Sequence, residues 1–253
     1  MRQTRLQRWA AIIEIAANSG HGSVEELAEH FGVTASTIRR DLADLMAEGR
    51  IARTYGGLIP ITAVEQTLQQ RFGQAHDEKT RIAQAAYGYI ADDSSIFLDA
   101  GTTVAALAEK IKDSSRLTVI TASIAVLNVL SSSEKIRLEC LGGTLRRISQ
   151  GFVGPLTVEA ISRFRFDASF VGTDGVSLDG EICEADQDQI HLKRSIFERS
   201  DHVYVLADGS KIGQRPYSST FSPRGKWTLV TDSSAPEDIL RKIRNSGVSV
   251  IVS

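Results

Sequence analysis

From about residue 78 to the end of the chain, short apolar or β-branched runs recur with helical stretches between them, and that alternation leaves few folds open. The runs fall at 95–98, 117–120, 136–141, 168–171, 203–206, 228–230 and 248–252. Helical patterns lie near 79–91, 103–112, 123–131, 188–199 and 236–245. Strands spaced by helices predict a largely parallel sheet with helices on both faces. Residues 1–57 keep a different rhythm, helical patterns with short breaks and then one alternating run. Between the two, 58–77 carry Pro60 and little periodicity and read as a linker. A length of 253 residues gives about 1.7 domains at ~150 residues each, in keeping with two unequal units, 1–57 and 78–253.

In the first unit Leu6, Trp9, Ile13 and Ala17 recur at helical spacing and predict the inward face of a first helix, ended by Asn18-Ser19-Gly20. Ser23 and Glu26 have the spacing of a capping box, in which each side chain meets the other's backbone N–H. The short helix they open turns Leu27, Ala28 and Phe31 inward and stops at Gly32. Thr34 is placed to cap a third helix over 35–48, closed by Gly49. Two helices joined by a tight Gly-containing turn form a helix-turn-helix. The run Arg50–Tyr55 followed by Gly56-Gly57 then predicts a β-hairpin wing.

In the third helix Ile38, Leu42, Leu45 and Met46 form the buried stripe, which leaves Ala35, Ser36, Thr37, Arg39 and Arg40 off it near the N-terminal end. That end of a recognition helix enters the major groove of double-stranded DNA, where Arg pairs bidentately with guanine and Ser or Thr reach base edges or phosphates. Arg53 and Tyr55 on the wing complete the expected contact set. A solvated helix face is the plainer alternative, with Arg39 or Arg40 pairing Asp41 or Asp44. Net charge does not separate the two readings. Residues 1–57 hold seven Arg and seven acids, so what favours DNA is the placement of Arg at the helix start and wing.

The second unit repeats one feature, a polar turn at the end of a strand. Asp99-Ala-Gly101-Thr102-Thr103 follows the first strand, Thr121-Ala-Ser123 the second, Gly142-Gly143-Thr-Leu-Arg146 the third and Gly172-Thr-Asp174 the fourth. Asp208-Gly-Ser-Lys211 follows the run at 203–206. Ligands of open α/β sheets bind outside the carboxyl ends of strands. A glycine before a helix lets backbone N–H groups approach an anion there. Each turn alone fits an ordinary strand-to-helix junction; together they form a candidate site for a phosphate and several hydroxyls. Glu184 and Asp186 can accept hydroxyl hydrogen bonds, or serve only as negative charge at a helix start.

Other chemistry finds little support. The two cysteines, Cys140 and Cys183, are too few for a disulfide framework and fit a reducing cytosol. The five histidines show no metal-ligand spacing, so no metal or cofactor is expected. No apolar run approaches the ~18 to 20 residues of a membrane span, and the start of the chain is not a signal peptide, which together predict a cytoplasmic protein with no membrane role.

Three segments of the first unit, Ser23-Val-Glu-Glu-Leu-Ala, Thr34-Ala-Ser-Thr-Ile-Arg-Arg-Asp-Leu and Arg53-Thr-Tyr-Gly-Gly, resemble the N-terminal signature of the DeoR family of bacterial sugar-catabolism repressors. Tyr55 departs from the His common at its position. In the second unit Glu78-Lys79-Thr-Arg-Ile-Ala, Asp99-Ala-Gly-Thr-Thr, Leu141-Gly-Gly-Thr-Leu-Arg, Gly151 and Asp208-Gly-Ser-Lys resemble the family's C-terminal domain. Glu184-Ala-Asp186 is similar to the Glu-x-Asp of the subgroup that includes the glycerol-3-phosphate repressor, with Gln189 where many relatives carry Glu. The resemblance implies a C-terminal fold like ribose-5-phosphate isomerase and an effector that is a phosphorylated sugar or polyol. It also implies that Gly101, Thr102 and Thr103 cradle the phosphate, with Lys211 as a second charge partner. The expectation is a transcriptional repressor that binds operator DNA as a homodimer or homotetramer and is not an enzyme. The alternative is an isomerase-like enzyme with an accessory DNA-binding module, using Glu184, Asp174 or Asp208 as base.

Overall fold

The computed structural model describes residues 4–19, 23–47, 51–54, 57–60, 65–114, 116–217 and 219–253, with the backbone alone at 14, 16–19, 46, 47, 51–54 and 57–60. The chain divides into two compact units, Met1–Val64 and Glu65–Ser253.

The first unit runs α1 (Arg5–Ser19), α2 (Val24–Phe31), α3 (Ala35–Ala47), β1 (Ile51–Thr54) and β2 (Gly57–Pro60). The capping box forms at the start of α2: Glu26 N–H donates to Ser23 Oγ at 3.1 Å and Ser23 N–H to Glu26 Oε2 at 2.9 Å. Gly32 ends α2 at φ 61°, a left-handed turn that residues with a Cβ seldom adopt. Thr34 caps α3 by accepting from Thr37 N–H at 3.2 Å. Trp9, Ile12, Val24, Leu27, Ile38, Leu42 and Leu45 make the core. One expectation fails here. Leu6 is 74% exposed, and the side chain of Ala17 lies outside the described residues. Trp9 is buried and Ile13 packs against the core as expected, but the inward face also takes Arg8 and Ile12. The reason is Asp41, buried on α3, which accepts from Arg8 Nε at 2.6 Å and Trp9 Nε1 at 2.9 Å and so turns α1 to bring both toward it. β1 and β2 pair antiparallel with Arg53 opposite Leu58, the hairpin expected of a wing.

The second unit runs α4 (Leu68–Phe72), α5 (His76–Tyr87), β3 (Ser95–Leu98), α6 (Thr102–Ile111), β4 (Leu117–Thr121), α7 (Ile124–Leu130), β5 (Ile136–Cys140), β6 (Thr144–Arg146), β7 (Gly151–Val153), α8 (Pro155–Ser162), β8 (Phe166–Gly172), β9 (Gly175–Val176), β10 (Ile182–Glu184), α9 (Gln187–Arg199), β11 (Ser200–Leu206), β12 (Ser219–Phe221), β13 (Trp227–Thr231), α10 (Glu237–Asn245) and β14 (Ser249–Val252). Seven strands form one sheet in the order β14-β13-β11-β8-β3-β4-β5, every pair parallel. Ile96 and Leu98 pack with α5, α6 and α7 on one face. Phe97 points to the other, where α8, α9 and α10 supply Ile161, Ile190, Ile196 and Leu240. Side chains alternate along a strand, so a sheet covered on both faces needs apolar residues at every position.

The strand order reverses at β3 and β8, which lie side by side although more than 60 residues apart in sequence. A crevice at such a reversal is where doubly wound sheets take ligands. Around it stand a hairpin, β6-β7, and a small antiparallel sheet, β12-β10-β9.

Residues 58–77 differ from a plain linker: they hold most of β2, all of α4 and the first two residues of α5. Thr67 and Gln70 form a second capping box, and Leu68, 1% exposed, packs on Ala105 and Ala125. Gln and Arg surround this single apolar anchor, so periodicity fails to show it.

Candidate functional site

At the start of α3, Ser36, Arg39 and Arg40 are exposed, and Ala35 and Thr37 half-exposed. Arg39 reaches Glu25 at 3.4 Å, with both side chains more than 60% exposed, a contact worth little and easily exchanged for a phosphate. Asp41 and Asp44 face the other way, onto α1: Asp41 binds Arg8, and Asp44 pairs with Arg5. Those carboxylates therefore do not neutralise Arg39 or Arg40, as the plainer alternative required. Tyr55 and the side chain of Arg53 lie outside the described residues.

In the second unit the turn after β3 is built on Gly101, with φ 151° and ψ 156°. A Cβ there would have the wrong backbone conformation yet meet nothing within 4 Å, so the space in front of the turn is open. The N-terminus of α6 carries no side-chain cap, and its first N–H groups lack helical partners. Thr102 and Thr103, the first two residues of α6, are largely buried. Thr102 and Lys79 line a cavity of about 490 Å³ together with Phe72, Ala105, Ala125 and Gln150. Lys79 donates to the carbonyls of Arg71 and Gln74 at 2.5 and 2.6 Å. Burial, with Lys211 and Arg71 close by, lowers its ammonium to about 8. Lys211 donates to Thr173 O at 2.7 Å and is half-buried.

Several expected ligand groups are occupied internally. Asp99 accepts from its neighbour Ala100 N–H and from Lys193 Nζ, each at 2.7 Å. Thr121 donates to Leu98 O at 2.7 Å and accepts from Ser123 N–H, tying β4 to β3. Ser123 accepts from Val126 N–H at the start of α7. Both hydroxyls are fully buried, so these two are positioning groups in this structure and not open donors. Gly143 is glycine because Thr157 Oγ1 occupies the space of a Cβ, and Thr157 donates to Gly142 O. Asp186 caps α9 by accepting from Asp188 and Gln189 N–H, the helix-start role weighed in the sequence. Arg146 makes a two-point pair with Glu65 and stands 3.5 Å from Asp186.

The centre of this network is a residue that motif reading passes over. Lys193, 2% exposed, stands 2.7 Å from Asp99 and 3.3 Å from Glu184. Asp174 receives Arg71 Nη1 at 3.2 Å and Ala185 N–H at 3.2 Å. Burial drives the Glu184 carboxyl up to about 8 against the pull of Lys193, and Asp174 and Asp99 add to the rise. Burial opposes the Lys193 charge, but its two carboxylates raise it above its ordinary value. The signal for Lys193 was present: it occupies the Ile190–Ile196 stripe of α9, where an exposed Lys does not belong. Arg71 and Glu65 fell inside the supposed linker.

A helix-turn-helix with a β-hairpin, joined to a parallel α/β unit with an open glycine turn at its switch point, defines a DNA-binding transcription regulator with a sensor domain. The model of the DeoR-like helix-turn-helix domain matches residues 8–64, and that of the DeoR C terminal sensor domain matches residues 74–233. The glycerol-3-phosphate regulon repressor of Escherichia coli K12 is 34% identical over 251 residues, 99% of each chain. The HTH-type transcriptional regulator GlpR of Haloferax volcanii is 33% identical over 248 residues, 97% of this chain and 96% of that one. The chain belongs to the DeoR family. Among solved structures, a D-ribose-5-phosphate isomerase in complex with phospho-erythronic acid overlaps 54% of this chain and 53% of its own, at 17% identity and a TM-score of 0.41. No helix among the described residues is long and apolar enough to cross a membrane.

Proposed function

We propose that this chain represses a carbohydrate catabolic operon, gripping operator DNA with α3 and the hairpin and answering to a phosphorylated sugar or polyol held beside α6. The phosphate lies against the N–H groups of Gly101, Thr102 and Thr103, with Lys79 and Lys211 as the nearby cations. The observation that carries this reading is the open, uncapped turn at Gly101, at the sheet's switch point, in a chain whose other unit exposes Ser36, Arg39 and Arg40. The chain works by binding and not by turnover: of the candidate bases Asp174 is held by Arg71, Asp208 by Ser210, and Glu184 lies sealed against Lys193. A two-fold assembly, dimer or tetramer, matches half-sites about one helical turn apart.

Regulation requires the effector to bind one arrangement more tightly than the DNA-competent one, by about 1–3 kcal/mol. The test is an operator titration with and without a panel of sugar and polyol phosphates. The relatives named for a glycerol-3-phosphate regulon or as GlpR make glycerol 3-phosphate the first to try. A shift in operator affinity with one of them is expected; none across the panel would remove the sensing claim.

A further inference from the structure

β5 ends the seven-stranded sheet on one side, and among the described residues it pairs with β4 alone. Leu141 N–H donates to Thr121 O at 2.8 Å, and the backbone groups of successive residues along a strand point to alternate sides. The N–H and C=O groups of Arg137 and Glu139 therefore face β4, and those of Ile136, Leu138 and Cys140 face away from the sheet. Such a row is a ready template for another strand. Side chains alternate as well. Ile136 and Leu138 pack in the layer with Val126 and Leu130 of α7, and Arg137 and Glu139 lie on the opposite face, 2.9 Å apart.

We infer that the β5 edge is an interface between two copies of this chain, joined antiparallel about a two-fold axis at Leu138. The inference rests on the two-fold assembly proposed above and names its surface. Antiparallel strands pair only where outward-facing residues meet outward-facing residues, so the axis must fall at a residue and not between two. An axis at Leu138 sets Leu138 opposite itself, Ile136 opposite Cys140 and Arg137 opposite Glu139 of the second copy. The outward N–H and C=O groups of the strand then all find partners. Arg137 and Glu139 fall at non-hydrogen-bonded positions, where facing Cα atoms stand about 4.5 Å apart and opposite charges stabilise. Other axes lose this match. An axis at Arg137 or at Glu139 sets that residue against its own counterpart, and one at Ile136 sets Arg137 against Lys135; like charges directly opposite are destabilising. An axis at Cys140 leaves both charges unmatched. Charge on an edge strand ordinarily blocks pairing, but here its order, basic and then acidic two residues on, suits one antiparallel register. The opposite edge, β14, reads Ser249-Val-Ile-Val252 and has no charge to fix a register.

The experiment is sedimentation of the full-length protein over a micromolar dilution series, in which the parent is expected to carry the mass of two or four chains. Arg137→Glu sets acid against acid on both sides of the axis and should raise the dissociation constant of one interface at least about tenfold. Adding Glu139→Arg reverses the order of charge and should restore association to within about threefold of the parent. Both side chains reach the surface, so the fold tolerates the exchange. A second readout is covalent. With Leu138→Cys and Cys140→Ser together, the axis brings the two thiol-bearing Cα atoms to about 5.5 Å, within disulfide range, and diamide should yield a cross-linked dimer; the remaining thiol, Cys183, is buried. A parent that stays monomeric removes the two-fold assembly and this inference together. A parent that associates, while Arg137→Glu associates equally well or no cross-link forms, overturns the β5 interface and leaves the assembly to another face. Loss of association in Val252→Lys alone would move it to β14.

Discussion

The two units of this chain treat charge in opposite ways. In the first, Arg40 and the loosely paired Arg39 are exposed at the start of a helix whose Asp41 and Asp44 face α1, so these cations can exchange onto a polyanion and are sensitive to salt. In the second, Asp99, Glu184 and Lys193 are sealed in the interior, where geometry decides which charge survives. Exposed charge gives reach and tolerates exchange. Buried charge gives selectivity, at the cost of depending on every partner. Among the described residues the first unit also has a buried polar cluster, Arg8, Trp9 and Asp41, which fastens α1 to α3.

The sharpest way to break the comparison is Lys193→Ala, which strands Asp99 without a counter-ion. Losing one partner of a buried pair costs about 3–5 kcal/mol, and thermal unfolding should show that loss in the sensor unit alone. A sensor transition that does not move would mean the trio is not the buried anchor described here. Next in size is Arg40→Ala, expected to weaken operator binding by about 1–3 kcal/mol if it reads a base. An equal loss on unrelated duplexes, with a shallower salt dependence, would make it a phosphate contact.

Acidity separates the units further. Glu184 stands near 8 in the fold against an ordinary 4.5, so between those values the folded chain keeps a proton that the unfolded chain releases. This contribution therefore turns against folding as pH rises through that window. Glu184→Gln removes the effect and should stabilise the sensor unit by roughly 1–2 kcal/mol more at pH 8 than at pH 6.5, readable in paired melts. Asp41 has the opposite sign. Burial would raise its carboxyl, but hydrogen bonds from Arg8 and Trp9 outweigh that and hold it below 3.8, so its stabilisation is present at neutral pH and is lost on strong acidification. The smallest expected change is Thr102→Ala, about 1 kcal/mol in effector affinity from one lost hydrogen bond, measured by calorimetry on the folded variant.

Legibility followed the same division. Local signals in the first unit translate directly into geometry: Ser23 and Glu26 cap α2, Gly32 turns the chain, and Thr34 caps α3. Leu6 misled because hydrophobic spacing cannot anticipate Asp41, a buried carboxylate that draws Arg8 and Trp9 inward from another helix. The seven strands were visible because a sheet covered on both faces needs unbroken apolar runs. By contrast α8 and the hairpin β6-β7 were missed, being short and mixed in polarity. At the candidate site, the strand-end turns were visible and gather at the carboxyl edge of the parallel sheet, yet residue type could not tell an open hydroxyl from a tied one. Thr121 and Ser123 are tied, and whether a turn hydroxyl bonds its own backbone depends on neighbours supplied by other strands. Lys193 and Arg71 needed tertiary context, since each acquires its role only beside a carboxylate distant in sequence.

The division of labour is tested most directly by crossing two variants with two readouts: operator affinity and heat of binding of the active phosphate, measured on Arg40→Ala and on Thr102→Ala. Arg40→Ala should lose operator affinity and bind the phosphate as the parent does, while Thr102→Ala should hold the operator normally and respond weakly to the phosphate. Loss of both properties in either folded variant would contradict the assignment of DNA to one unit and effector to the other.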